Sequence, residues 1–181
     1  DVKSSRPGYP SGTGNTSGTA KYDALTPTFG TPTRTADGYT VSITNYDAAY
    51  TWAGSATASG SVSINAGTGL VTVTGVAANT ESVTTVTTTR AGYVGGTASV
   101  SGTSLAAART PTFAAPTRTA GGFTVQITNF DAAWTWAGTA TASGTVTVNG
   151  SGLATITGVA NNTSSTATIT ATRTGYVTGS A

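Results

Sequence analysis

Apolar and polar residues alternate with a period of two along most of this chain. Tyr39, Val41 and Ile43 are separated by Thr40 and Ser42, Tyr50 and Trp52 by Thr51, Val62 and Ile64 by Ser63, and Val71 and Val73 by Thr72. The second half repeats the scheme with Phe123, Val125 and Ile127. Successive side chains of a strand point to opposite faces, so this alternation predicts strands with one buried face. A near-continuous run of Thr and Val over 82–89 predicts a further strand. No window carries apolar residues at i, i+3, i+4 and i+7, and β-branched residues dominate, which argues against helix. Turn residues punctuate the strands at Asp37-Gly38, Asn45 to Asp47, Ser59-Gly60, Gly67 to Gly69, Asn79 and Gly92. About seven short strands in each half, with turns roughly every 12 residues, predict β-sandwiches.

The halves are copies. Pro27-Thr28-Phe29 and Pro32-Thr33-Arg34-Thr35 recur as Pro111-Thr112-Phe113 and Pro116-Thr117-Arg118-Thr119, a shift of 84 residues. Asn45-Tyr46-Asp47-Ala48-Ala49-Tyr50-Thr51-Trp52 recurs as Asn129-Phe130-Asp131-Ala132-Ala133-Trp134-Thr135-Trp136. One residue is lost in a Gly-rich tract, after which Arg90-Ala91-Gly92-Tyr93 matches Arg173-Thr174-Gly175-Tyr176. A deletion confined to Gly-rich sequence marks a loop. The period is too long for a helical solenoid and suits tandem independent domains. Arg6-Pro7-Gly8-Tyr9 begins a third, partial copy. The expected division is therefore 1–24 as the tail of a preceding repeat, or an N-terminal donor segment, followed by β-sandwich repeats over 25–104 and 105–181, with Ser104 to Arg109 as a short linker.

Composition narrows the chemistry. Only 8% of residues are charged, the net charge is +2, and about one residue in four is Thr, so hydroxyls rather than ions solvate the surface. There is no His, Cys or Met. That removes the Ser-His and Cys-His nucleophile pairs, disulfides and the usual zinc ligand sets. Eight scattered cations do not make a nucleic-acid-binding face, and no run reaches the 18 or more apolar residues of a membrane helix. The second repeat has a single carboxylate, Asp131, so the paired acids of glycoside hydrolysis are missing there. No cofactor is expected.

The stretch Leu70-Val71-Thr72-Val73-Thr74-Gly75-Val76 through Asn79-Thr80-Glu81-Ser82-Val83-Thr84-Thr85-Val86 resembles the E to F region of bacterial fibronectin type III or immunoglobulin-like tandem repeats. The resemblance spans both repeats. It departs from the family where Ser82 and Ser165 replace the tyrosine that pins the E–F corner, and where Ile43 and Ile127 replace a frequent strand-B tryptophan. It implies tandem sandwiches of about seven strands in extracellular or cell-surface bacterial proteins, acting as spacers, adhesin stalks or filament segments.

Candidate sites are few. Asp47 and Asp131, each beside an Asn, are the weak candidates for a cation; Asx-turn capping explains the same residues. Tyr50 and Trp134 are candidates for contact with a glycan, while Trp52 and Trp136 are expected in the core, where their loss would matter most. Arg90, Tyr93, Arg173 and Tyr176 fall in a predicted F–G turn and are expected to touch a neighbouring domain. The resulting expectation is a non-enzymatic, secreted structural protein that self-associates head to tail or joins further copies of the repeat, with N-terminal residues completing a neighbour's last strand. The alternative is a glycan-binding adhesin module, or a spacer of a secreted polysaccharide-acting enzyme.

Overall fold

The computed structural model describes residues 2–181, and every regular element among them is a strand. A short hairpin, β1 (Val2–Ser4) with β2 (Gly12–Gly14), opens the chain. The first repeat then contributes β3 (Thr33–Thr35), β4 (Gly38–Ser42), β5 (Thr51–Ala56), β6 (Ser61–Ile64), β7 (Leu70–Thr74), β8 (Glu81–Thr89) and β9 (Gly96–Thr103). The second contributes β10 (Thr117–Thr119), β11 (Gly122–Gln126), β12 (Thr135–Ala140), β13 (Thr145–Val148), β14 (Leu153–Thr157), β15 (Ala167–Thr172) and β16 (Gly179–Ser180). In each repeat one antiparallel sheet has four strands, ordered β3-β4-β7-β6 or β10-β11-β14-β13, and another has three, ordered β5-β8-β9 or β12-β15-β16. Each repeat has its own apolar cluster, and that of the first draws on Val41 and Val73 of one sheet and Val86 of the other. The arrangement is consistent with a β-sandwich.

Alternation decides the inner face of β4 and β7: Tyr39, Val41, Val71 and Val73 are all buried. In β8 it misleads. Ser82, Thr84, Val86 and Thr88 point inward while Val83 is 39% exposed. A buried hydroxyl is tolerated only when bonded, and each of these is. Ser82 Oγ donates to Thr57 O (2.9 Å), Thr84 Oγ1 is hydrogen-bonded to the Tyr39 hydroxyl (2.6 Å), and Thr88 Oγ1 donates to Leu25 O (2.6 Å). In the second repeat Phe123 stands for Tyr39 and Ala167 for Thr84. Both members of the hydrogen-bonded pair have gone together, which avoids stranding one buried polar atom.

The tryptophans depart from expectation. Trp52 and Trp136 are only half-buried and flank the cores, each against an aromatic neighbour, with Tyr46 and Trp52 centroids 5.2 Å apart and Phe130 and Trp136 5.5 Å apart. Their indole nitrogens donate to Asp47 O and Asp131 O, and these polar tips keep the rings at the edge of the core. The most buried tryptophan is Trp134, at 7% exposure, and the largest fully buried side chain is Tyr39.

The turn expected at Ser59-Gly60 sits one residue earlier. Ala58 and Ser59 both have positive φ, +53° and +59°, and Gly60 N donates to Thr57 O, the pattern of a type I′ turn. The second repeat builds the same turn from Ala142 and Ser143. Left-handed backbone is costly for residues with a Cβ, and Asn-Gly is the pair that suits it. Replacing Ala58 and Ser59 by Asn and Gly is therefore expected to stabilise the first repeat by about 1 kcal/mol, read as a higher midpoint in chemical denaturation.

Candidate functional site

Arg90 with Tyr93, and Arg173 with Tyr176, sit at one end of each repeat, on the turn after β8 or β15. Three Arg-x-Gly-Tyr segments fold identically: Gly8, Gly92 and Gly175 have φ of +82°, +82° and +84°. At that φ glycine is unstrained. The turn folds Arg over Tyr, with guanidinium-to-ring distances of 5.1 Å for Arg6 and Tyr9, 4.8 Å for Arg90 and Tyr93, and 4.9 Å for Arg173 and Tyr176. The β1–β2 hairpin keeps the register of the β8–β9 one: Val2 faces Gly14 and Ser4 faces Gly12, as Val86 faces Ala98 and Thr88 faces Gly96.

Tyr50 and Trp134 join these turns. Tyr50 lies edge-on to Tyr93 (5.5 Å) beneath Arg90 (5.2 Å), and Tyr22, 67% exposed, packs on the other side of Tyr93 (5.0 Å). In the second repeat Trp134 packs edge-on against Tyr176 (4.9 Å) with Arg109 over it (5.8 Å). Arg109 also pairs with Asp131 (3.3 Å) and donates to Asn129 O. This side-chain pair is about one-third exposed, where an ion pair contributes little.

The two repeats meet at the second of these ends, and consecutive residues belong to different repeats. Ser104 N donates to Thr80 O and Leu105 N to Thr35 O, while Leu105 O accepts from Asn79 N, all in the first repeat. Ala106 N donates to Gly175 O and Ala106 O accepts from Val177 N, both in the second. The expected linker over 104–109 thus begins with residues already bonded to both sides. Arg34 secures it: its Nε donates to Thr103 O and Ser104 O (3.1 Å each) and its Nη2 to Ser104 O (2.5 Å). Arg34 also lies beside the Arg173–Tyr176 turn, since a Cβ on Gly175 would sit 3.5 Å from its Nη1. Tyr22 makes the same pair of bonds to Gly92 and Val94 that Ala106 makes to Gly175 and Val177.

Ser104, fully buried, donates to Ala77 O and accepts from Thr80 N. It ties down the E–F corner that lacks the tyrosine, while Ser82 and Ser165 bond instead to the neighbouring turn at Thr57 O and Thr141 O. Arg34, Ser104, Tyr22 and Arg109 were not singled out from sequence. The available signal was Arg34 recurring as Arg118 in a chain with eight cations.

Asp47 and Asp131 accept from Ala49 N (2.8 Å) and Ala133 N (2.9 Å), closing Asx turns. No cluster of three or more acids, histidines or cysteines surrounds either among the described residues. No helix there is long and apolar enough to cross a membrane.

β16 is two residues long where its counterpart β9 has eight. A groove of about 830 Å³ is lined by Arg118, Phe123, Val159 and residues 160–165, and a smaller apolar hollow of about 190 Å³ lies among Phe113, Phe123, Val125, Ala167 and Ile169. No family model, curated protein or solved structure matches the chain.

Proposed function

We propose that the chain is a non-enzymatic structural segment, in which tandem immunoglobulin-like or fibronectin type III-like β-sandwiches form an extracellular rod, stalk or filament. The observation that supports it most is the junction. Leu105 and Ala106 are adjacent in sequence yet bonded to opposite repeats, and Arg34 holds the carbonyl groups before them, so no unbonded residue is left between the repeats to act as a hinge. Sequence spent on repeated modules with a bonded joint yields length and stiffness rather than a cleft. The scarcity of ionisable side chains fits the same role.

Small-angle scattering on dilute protein tests the reading. A single globule of this size has a radius of gyration near 16 Å, whereas two beads in line are expected clearly above about 20 Å. Arg34→Ala removes the side-chain grip on residues 103 and 104. It is expected to leave both repeats folded while broadening the distribution of inter-repeat distances. A compact particle sinks the proposal.

One observation favours the alternative of a glycan-binding module: Tyr22 is largely exposed beside Tyr93 and Tyr50. Exposed rings suit sugar stacking. Tyrosine fluorescence during titration with polysaccharide fragments separates the readings, since a pure spacer gives no saturable change.

A further inference from the structure

We infer that Tyr22 and Tyr93 form an oxidative cross-linking site, at which a peroxide is reduced and a dityrosine bond ties residue 22 to the turn after β8. The inference goes beyond the structural reading above and holds for a rod and for a glycan-binding module alike. The backbone sets the pair. Tyr22 N donates to Gly92 O and Val94 N donates to Tyr22 O, a parallel bridge that puts Tyr22 directly beside Tyr93. The ring centroids are 5.0 Å apart and the ring planes 31° from parallel. Tyr93 is the fixed member, with Arg90 over it (4.8 Å) and Tyr50 edge-on (5.5 Å). Tyr22 is the reachable member, at 67% exposure.

The rest of the chain directs oxidation to this pair. Cys and Met, the usual sinks of oxidising equivalents, are absent, as is His, which leaves seven Tyr and three Trp. Trp134 is buried, and Trp52 and Trp136 are half-buried. Among the tyrosines, Tyr39 is fully buried, Tyr46 stacks on Trp52 and Tyr176 packs on Trp134. Tyr9 is about as exposed as Tyr22, at 65%, but its ring meets the Arg6 guanidinium rather than a second phenol. The second repeat has Ala106 where Tyr22 stands, held by the same two backbone bonds. A phenol pair on that bridge is therefore particular to the first repeat.

The chemistry balances with hydrogen peroxide as the oxidant. Two one-electron oxidations, each with loss of a phenolic proton, turn Tyr22 and Tyr93 into neutral phenoxyl radicals. Tyr22 meets the oxidant first and takes an electron and a proton from Tyr93 across the ring contact; a second oxidation of Tyr22 completes the radical pair. The radicals couple through Cε carbons, the ring positions beside each hydroxyl, and one carbon–carbon bond forms. The hydrogens on those two carbons leave as protons while both oxygens are reprotonated, which restores the phenols. In sum two hydrogen atoms leave the protein and one peroxide becomes two waters. Fixed proximity raises the effective concentration of one ring at the other far above that of a second chain in dilute solution. In a chain without cysteine, the bond closes a loop of about seventy residues, the part a disulfide plays elsewhere.

Treatment of the dilute full chain with a haem peroxidase and hydrogen peroxide tests this. The expected product is a monomer lighter by two hydrogens, with the blue fluorescence of dityrosine. Trypsin is expected to release it as the peptide 22–34 joined to 91–109, which separates Tyr22–Tyr93 from any bond to Tyr50. Tyr22→Phe and Tyr93→Phe each keep a ring in place and are expected to abolish the product with unchanged thermal unfolding, whereas Tyr9→Phe and Tyr50→Phe leave its yield as it was. The first repeat of the cross-linked monomer is expected to unfold at a midpoint higher by about 10 °C or more. A monomer without the bond, a bond mapped to other tyrosines, oxidation confined to tryptophan, or a yield that Tyr22→Phe leaves unchanged overturns the inference.

Discussion

Tyr39→Ala is expected to unfold the first repeat while leaving the second folded. Tyr39 is fully buried at the centre of the first cluster, between Gly102 of one sheet and Val73 beside it in the other, and its hydroxyl bonds Thr84 Oγ1 and Val100 O. Removing a buried aromatic ring costs about 3–5 kcal/mol, comparable to the whole stability of a domain this small. Two-step thermal unfolding, with the earlier step shifted to or below room temperature, is the expected calorimetric result. The corresponding Phe123→Ala should cost visibly less, because Phe123 is already half-exposed and bonds nothing. Tyr39→Phe with Thr84→Ala gives the second repeat's own pair of residues. It should retain most of the stability that Tyr39→Phe alone loses by stranding the threonine hydroxyl. Equal effects of Tyr39→Ala and Phe123→Ala would contradict the asymmetry between the repeats.

The second large effect is expected at Gly96. The chain at Leu25 crosses directly over this glycine: a Cβ would lie 2.1 Å from Leu25 O and 2.6 Å from Thr88 Oγ1. The same threonine hydroxyl donates to Leu25 O and accepts from Gly96 N (3.1 Å), so three segments meet at one buried point. Backbone cannot yield as a flexible side chain does. Gly96→Ala should therefore cost more than about 3 kcal/mol, above the ordinary range for a single substitution. Thr88→Val, which fills the same space but removes both hydrogen bonds, should cost about 1–3 kcal/mol. The second repeat provides the parallel, since a Cβ on Gly179 would lie 2.0 Å from Arg109 O. Urea midpoints of Gly96→Ala, Thr88→Val and Gly179→Ala rank these terms. A Gly96→Ala variant as stable as the parent contradicts the crossing.

Strand content, turn positions and the copy number of the repeat were legible because each rests on local chemistry: period-two alternation, glycine at positive φ, and self-alignment. The inner face of β4 followed directly from Tyr39, Val41 and Ile43. What the alternation rule missed was β8, where a run of Thr and Val carries no periodic contrast and the burial of Ser82, Thr84 and Thr88 is decided by carbonyls brought in from distant loops. Tryptophan size pointed to Trp52 and Trp136 as core. Their N–H groups, bonded to the carbonyls of Asp47 and Asp131, draw them to the edge, while Trp134 is covered by Tyr176 and Arg109 from two distant segments. The cation–ring pairs at Arg90 and Arg173 lie within four residues of sequence, so their proximity could be read. The grip of Arg34 on Thr103 and Ser104 spans about seventy residues and left no local trace.

The bonded joint also governs how such a chain responds to being pulled. With Leu105 fastened to one module and Ala106 to the next, tension passes from repeat to repeat with no slack to take up. Extension must then come from whole modules giving way one after another. Each releases on the order of 80 residues, roughly 260–290 Å of unravelled polypeptide, so two modules joined in this way are expected to lengthen under load in steps rather than all at once.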